Sequence, residues 1–304
     1  MSAQNELWNA ARAGDVSAIR VALAAGANVN APEKSYEGMT PLILAAEGNY
    51  VDAAKALLDS GADVGGLDKL GRTPLHVASA RGFFNMVRLL AARGADIEAG
   101  RKTDKLASRP LHCAAWGGHV EVVRFLLGAG ADIEAPEGEG HRPLHFAAMQ
   151  DYSGTGTGMK YVEHPGVARL LLAAGAKVDC PDKSGFTPLH IAARDGCPET
   201  AAVLVAAGAD IDAANEYGGR PLHLAAHNDQ RDVIVVLLEN GADPAVEDKK
   251  GITPVHETQT SEGREWLKKA ISETTPGAMK ERMIRQWCAR HRRLASLRPE
   301  APSL

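Results

Sequence analysis

The chain predicts an all-α solenoid of about eight stacked helix–turn–helix units joined by hairpin-like fingers. Two periodic marks and one compositional fact predict it. A Thr/Arg-Pro-Leu-His-like tetrapeptide sets prolines at 41, 74, 110, 143, 188, 221 and 254, at intervals of 33, 36, 33, 45, 33 and 33. A Gly-Ala pair beginning at Gly26, Gly61, Gly94, Gly130, Gly175, Gly208 and Gly241 keeps the same phase, and two unrelated marks in phase denote a repeat protein. The 304 residues are 45% apolar but only 5% aromatic, so the core is built in thin layers of Ala, Leu and Val. That favours one elongated domain over two globular ones.

Each unit reads in order. The proline stands in the first turn of a first helix, where its missing N–H costs nothing and its φ is already helical. Thr40, Thr73, Thr187 and Thr253 precede it as N-caps. Pairs such as Ala114-Ala115 and Ala225-Ala226 let neighbouring first helices approach closely, and runs such as Val122 to Leu127 supply the apolar face of a second helix. The Gly of Gly-Ala then fits a C-terminal position that needs positive φ. A single unit cannot bury both helices, so units must stack, and the terminal ones should depart from the pattern. The first opens with Glu6-Leu7-Trp8 in place of Pro-Leu-His, and in the last Ala-Ala becomes Thr258-Gln259, which predicts a water-facing end. Arg109, Arg142 and Arg220 replace the capping Thr, a change read as a structural variant of the unit because an arginine accepts no hydrogen bond.

The unit Gly-x-Thr-Pro-Leu-His-x-Ala-Ala, followed by x-Gly-His, an aliphatic run and Gly-Ala-Asp, resembles the ankyrin repeat. Arg109 to Ile133 is nearly a consensus copy, and the resemblance covers roughly Glu6 to Ile271. It implies a repeat domain over residues 1–271, with degenerate first and last units, followed at 272–304 by a separate tail. It also implies that His76, His112, His145, His190, His223 and His256 hydrogen-bond between neighbouring loops, that His119 serves the turn between helices, and that a protein or peptide binds in a concave groove of first helices and fingertips.

Read by register, the groove positions gather Trp116, His141, Met149, Phe186, Arg194 and His227 in the middle of the chain, with Tyr217 at a fingertip. Aromatic, Met and Arg residues are enriched where partners bind. Only fourteen aromatics occur in the chain, so their gathering is informative.

Two irregularities add candidates. The interval of 45 puts an insertion at about 151–164, inside the fifth unit and between its helices; Gly154, Gly156 and Gly158 make it a loop that brings Tyr152, Met159 and Tyr161 towards the groove. Its Gly-x-Gly-x-Gly follows a helix and lacks the strand that a phosphate loop requires. A finger three residues longer than the rest carries Arg101, Lys102 and Lys105, a basic tip for an acidic partner. Beyond Thr274-Thr275-Pro276-Gly277, Lys280 to Arg298 predicts a basic amphipathic helix. Its seven cations against Glu281 give plus six, leaving the remainder near minus ten of a total of minus four. Docking as a cap on the last repeat is its favoured reading.

The function expected is a protein-interaction module. One alternative is an enzyme or small-ligand binder whose pocket the insertion forms, with His141, Arg194, Asp195 or His227 as acid, base or anion clamp; another is a scaffold or regulator acting through the basic tail. No nucleophile–base pair, cofactor motif or closely spaced Cys/His metal set is present, so no catalytic, cofactor or metal residue is assigned. The acidic body argues against general nucleic-acid binding. No apolar stretch nears the roughly 18 residues of a membrane helix. The amino terminus lacks the layout of a secretory signal, and Cys113, Cys180, Cys197 and Cys288 are expected as free thiols. A monomer in the cytoplasm, with the nucleus as the alternative, is the expectation.

Overall fold

The computed structural model of the chain describes residues 2–34, 37–101, 107–150 and 162–272. Among these residues, sixteen helices form eight pairs. They are α1 (Ala3–Ala13) with α2 (Val16–Ala24), α3 (Pro41–Glu47) with α4 (Val51–Asp59), α5 (Pro74–Ala80) with α6 (Phe84–Ala92), and α7 (Pro110–Trp116) with α8 (Val120–Gly128). The series continues with α9 (Pro143–Ala148) and α10 (Pro165–Ala173), α11 (Pro188–Asp195) and α12 (Pro198–Ala206), α13 (Pro221–His227) and α14 (Arg231–Glu239), and α15 (Pro254–Glu257) and α16 (Ser261–Ser272). First helices pack on first helices of the next unit, and second helices on second helices. The result is a solenoid.

The apolar code explains the layers. Leu42, Leu75, Leu111, Leu144, Leu189 and Leu222, the leucines of the tetrapeptide, are fully buried between units, each contributing about 1.5–3 kcal/mol. The paired alanines are buried beside them, which lets backbones approach. Gly26, Gly61, Gly94, Gly130, Gly175, Gly208 and Gly241 all take φ between 85° and 97°, ending the second helices as the Gly-Ala mark predicts.

The fingers repeat one device. Asp68, Glu137, Asp182, Asn215 and Asp248 each accept backbone N–H bonds from residues two and four positions on, which folds the tip. Neighbouring fingers are tied by backbone bonds, Lys183 N–H to Glu139 O at 3.0 Å and Glu216 N–H to Ser184 O at 3.0 Å.

Two expectations are corrected. The first helix begins at Ala3, ahead of Glu6, because the Ser2 hydroxyl accepts the Asn5 N–H and caps it. Thr258 does not face water: it is buried, and its hydroxyl donates to the Val255 carbonyl. Cys113 is half-buried. Cys113, Cys180 and Cys197 are free thiols, and Cys288 lies outside the described residues. No helix among the described residues is long and apolar enough to cross a membrane.

Candidate functional site: the first-helix face and the fingers

The histidines of the tetrapeptide fix the frame of this face. Nδ1 of His76, His112, His145, His190 and His223 accepts the backbone N–H three residues earlier, at 3.0–3.3 Å. On the other side of each ring, Nε2–H donates to a carbonyl further along the stack: Ser108, Ala135, Phe186, Gly219 and Ile252 respectively. Each ring therefore caps its own helix and holds the next finger. Burial, the largest influence, holds His76, His112, His145 and His190 down at about 4, so these rings are neutral at pH 7.

Thr73 and Thr187 complete a reciprocal cap, since their hydroxyls accept the histidine backbone N–H while the ring accepts theirs. Arg109, Arg142 and Arg220 keep only the ring's half. Their guanidinium groups reach back to the preceding finger instead, Arg109 to Glu98, Arg142 to Glu134 at 3.3 Å and Arg220 to the Asp212 carbonyl at 2.8 Å. This supports the structural reading of the three arginines.

Trp116, Met149, Arg194 and His227 stand at the C-terminal ends of α7, α9, α11 and α13, four first helices that pack in sequence. They form one row. Trp116 is half-buried, does not pack on the hydrophobic core, and its indole N–H has no hydrogen-bond partner among the described residues. Met149 does pack on the core. The Arg194 guanidinium donates to Asp195 at 2.7 Å, and Asp195 also accepts the Gln150 N–H at 3.4 Å. His227 is half-exposed, with Nδ1 3.1 Å from Glu257 and Nε2 2.9 Å from the Gln259 amide nitrogen.

Among the finger residues, Tyr217 projects with 61% of its surface exposed. His141 is held inside the fingers, Nδ1 2.9 Å from Glu137 and Nε2 3.2 Å from Asp182 of the next finger. Phe186 packs on the core with its ring edge-on to His190. Arg101 ties its finger through a backbone bond to Ser108. Lys102, Lys105, Tyr152, Met159, Tyr161 and the basic tail lie outside the described residues.

Sequence reasoning missed Arg81, Glu257 and Gln259. In the third unit the row's charge is carried one position later than the register predicts, by Arg81, which reaches Glu47 at 3.6 Å. Glu257 occupies the variable place after Pro-Val-His and meets His227 only because the last two units stack. Among the described residues no three of His, Cys, Asp and Glu are grouped to hold a metal.

Family models described as ankyrin repeats match residues 7–101 and 159–248 (three copies) and 111–154 (many copies). The chain is 44% identical over 85 residues to the chicken nuclear factor NF-kappa-B p105 subunit, 28% of this chain and 8% of that one. It is 37% identical over 92 residues to chicken inversin, 30% of this chain and 8% of the relative. The rice potassium channel KOR1 matches at 42% identity over 92 residues, 30% of this chain and 10% of the channel. The chain thus spans a tenth or less of these curated relatives. Among solved structures, the human ASB11 ankyrin repeat domain superposes with a TM-score of 0.65 at 31% identity, covering 79% of this chain and 99% of that one.

Proposed function

The chain belongs to the ankyrin repeat family, whose repeats are generally protein–protein interaction modules, and from that premise we propose that its first-helix face and fingers form a groove for a protein or peptide partner. The observation that carries the reading is Trp116, a half-buried aromatic that, among the described residues, neither packs on the core nor has a partner for its indole N–H. Such a group gains from a partner both apolar burial and a hydrogen bond. Met149 floors the same row, Arg194 and His227 offer polar contacts within one or two helices of it, and Tyr217 closes it at a fingertip. His141 and Phe186, engaged inside the fingers, support the wall of the groove.

The test is capture of partners by the full chain and by a Trp116→Ala/Arg194→Ala/Tyr217→Ala variant, chosen because these side chains lie outside the core. Proteins captured by the parent and lost by the folded variant support the groove. Equal capture by both moves the site elsewhere.

A further inference from the structure

The second helices carry a feature that the first-helix face does not use. At the fifth position of five successive second helices stand Arg20, Lys55, Arg88, Arg124 and Arg169, on α2, α4, α6, α8 and α10. All five are exposed, and none has a carboxylate within ion-pair distance among the described residues. Asp52 and Glu121 lie one turn away on α4 and α8 without closing a pair, and Asp59 is taken by Arg93 at 3.0 Å. Packed helices are about 8–10 Å apart, so the cations form a line of roughly 40 Å. The line then stops: α12 and α14 have Ala202 and Val235 at that position, and bear Glu199, Asp232 and Glu239 against Arg231, which is itself paired with Asp229 and Glu262. One half of this face is basic on a chain of net charge minus four.

Beside the line runs an apolar trough. An open groove of about 730 Å³ spans α4 to α8, lined by Val51 of α4, Arg88, Leu89 and Ala92 of α6 and Phe125 of α8. The Arg88 guanidinium sits 5.7 Å over the Phe84 ring, and Phe84 meets Phe125 edge-on at 5.9 Å. Leu89 and Phe125 pack on the core beneath, so they are recessed and accept a side chain instead of inserting into a surface.

We propose that this second-helix face docks an acidic amphipathic helix of a partner protein, with carboxylates on the cation line and apolar side chains in the trough. An α-helix rises about 1.5 Å per residue, so acids seven residues apart recur about every 10 Å, the spacing of the line. The recessed apolar lining disfavours a lipid surface, and nucleic acid has no apolar side chains to fill it. This site is separate from the groove proposed above and does not depend on it.

The test is titration of the full chain into a labelled, end-blocked helical peptide with Glu at every seventh position and Leu one turn on, followed by fluorescence anisotropy. A Lys-for-Glu peptide, phosphatidylserine vesicles and duplex DNA are the comparison probes. The proposal expects binding of the Glu peptide that weakens at least tenfold in Arg88→Glu/Arg124→Glu. It also expects binding to fade between about 0.02 M and 0.5 M salt, as screening shortens, and to persist in Trp116→Ala. Unchanged affinity in the charge-reversed variant, equal binding of the Lys peptide, or reversal-sensitive binding of vesicles or DNA without the Glu peptide overturns it. Arg88→Gln/Arg124→Gln, with helicity and urea midpoint checked, repeats the comparison without introducing negative charge.

Discussion

At their N-terminal ends α5, α7, α9, α11 and α13 carry the same Pro-Leu-His and the same two ring bonds, whereas their C-terminal ends carry Ala80, Trp116, Ala148 followed by Met149, Arg194-Asp195, and His227. The first end is buried and nearly every polar atom has a partner; at the second, Ala148 is buried but Trp116 is half-buried and His227 half-exposed, and Arg194 and His227 pair with neighbouring carboxylates. The difference separates two duties within one short helix. Stacking constrains the end that touches the next finger and leaves the other free to vary.

The largest break in this comparison is by acid. His76, His112, His145 and His190 sit at about 4 in the folded chain and near 6.5 when unfolded, so between those values the unfolded chain binds more protons. Stability is therefore full above about 6.5 and is lost as pH falls towards 4. At ~1.4 kcal/mol per pH unit per ring, the four together amount to roughly 14 kcal/mol across that window, on the scale of a whole domain's stability. Urea unfolding followed between pH 7 and pH 4.5 should show uptake of several protons, about four at the limit. A flat profile would mean that the rings are not buried neutral.

Next comes the removal of one ring. His112→Ala deletes the bond to the Ala135 carbonyl, strips the Arg109 N–H of its acceptor and leaves a cavity between α7 and α9. The expected loss is about 3–4 kcal/mol by urea denaturation, from the cavity and the unpaired buried groups together. His227→Ala, at the open end of the equivalent helix α13, should cost under about 1 kcal/mol because its Glu257 pairing is exposed to solvent.

Much of this division was legible from the chain. The period placed the first-helix N-termini, the Gly turns and the row Trp116, Met149, Arg194 and His227, since one unit copied eight times converts spacing into position. What escaped were relations between units. His141 meets Asp182 only through the stacking of two fingers separated by the long fifth unit, and nothing local to either residue signals it. Thr258 reads as polar and exposed, yet its hydroxyl finds the Val255 carbonyl one turn back and is buried. The cation line of the second helices was present in the period too, but emerges only when the units are superposed and the absence of paired carboxylates is seen.

A smaller effect sharpens the contrast within the N-terminal ends themselves. Thr187 both gives and receives in its cap, while Arg142 has the ring's bond, an ion pair to Glu134 and a long hydrogen bond to the Pro181 carbonyl at 3.4 Å. Thr187→Ala should cost about 1 kcal/mol. Arg142→Thr restores a capping hydroxyl worth about as much and gives up a partly exposed ion pair worth up to about 1 kcal/mol, so it should fall near zero. A large loss in Arg142→Thr would show that the guanidinium, not the ring, holds that unit's start.

The smallest stability effect is the most telling. Tyr217→Ala removes a side chain that is mostly in water, and Trp116→Ala one that does not pack on the core; the expected changes are within about 0.5 and about 1 kcal/mol. Two large aromatics that contribute so little to folding are the side chains through which the proposed groove would gain most from a partner. If Trp116→Ala instead destabilises by the roughly 3 kcal/mol or more typical of a buried tryptophan, the ring belongs to the stack. The C-terminal end of α7 then follows the same rule as its N-terminal end.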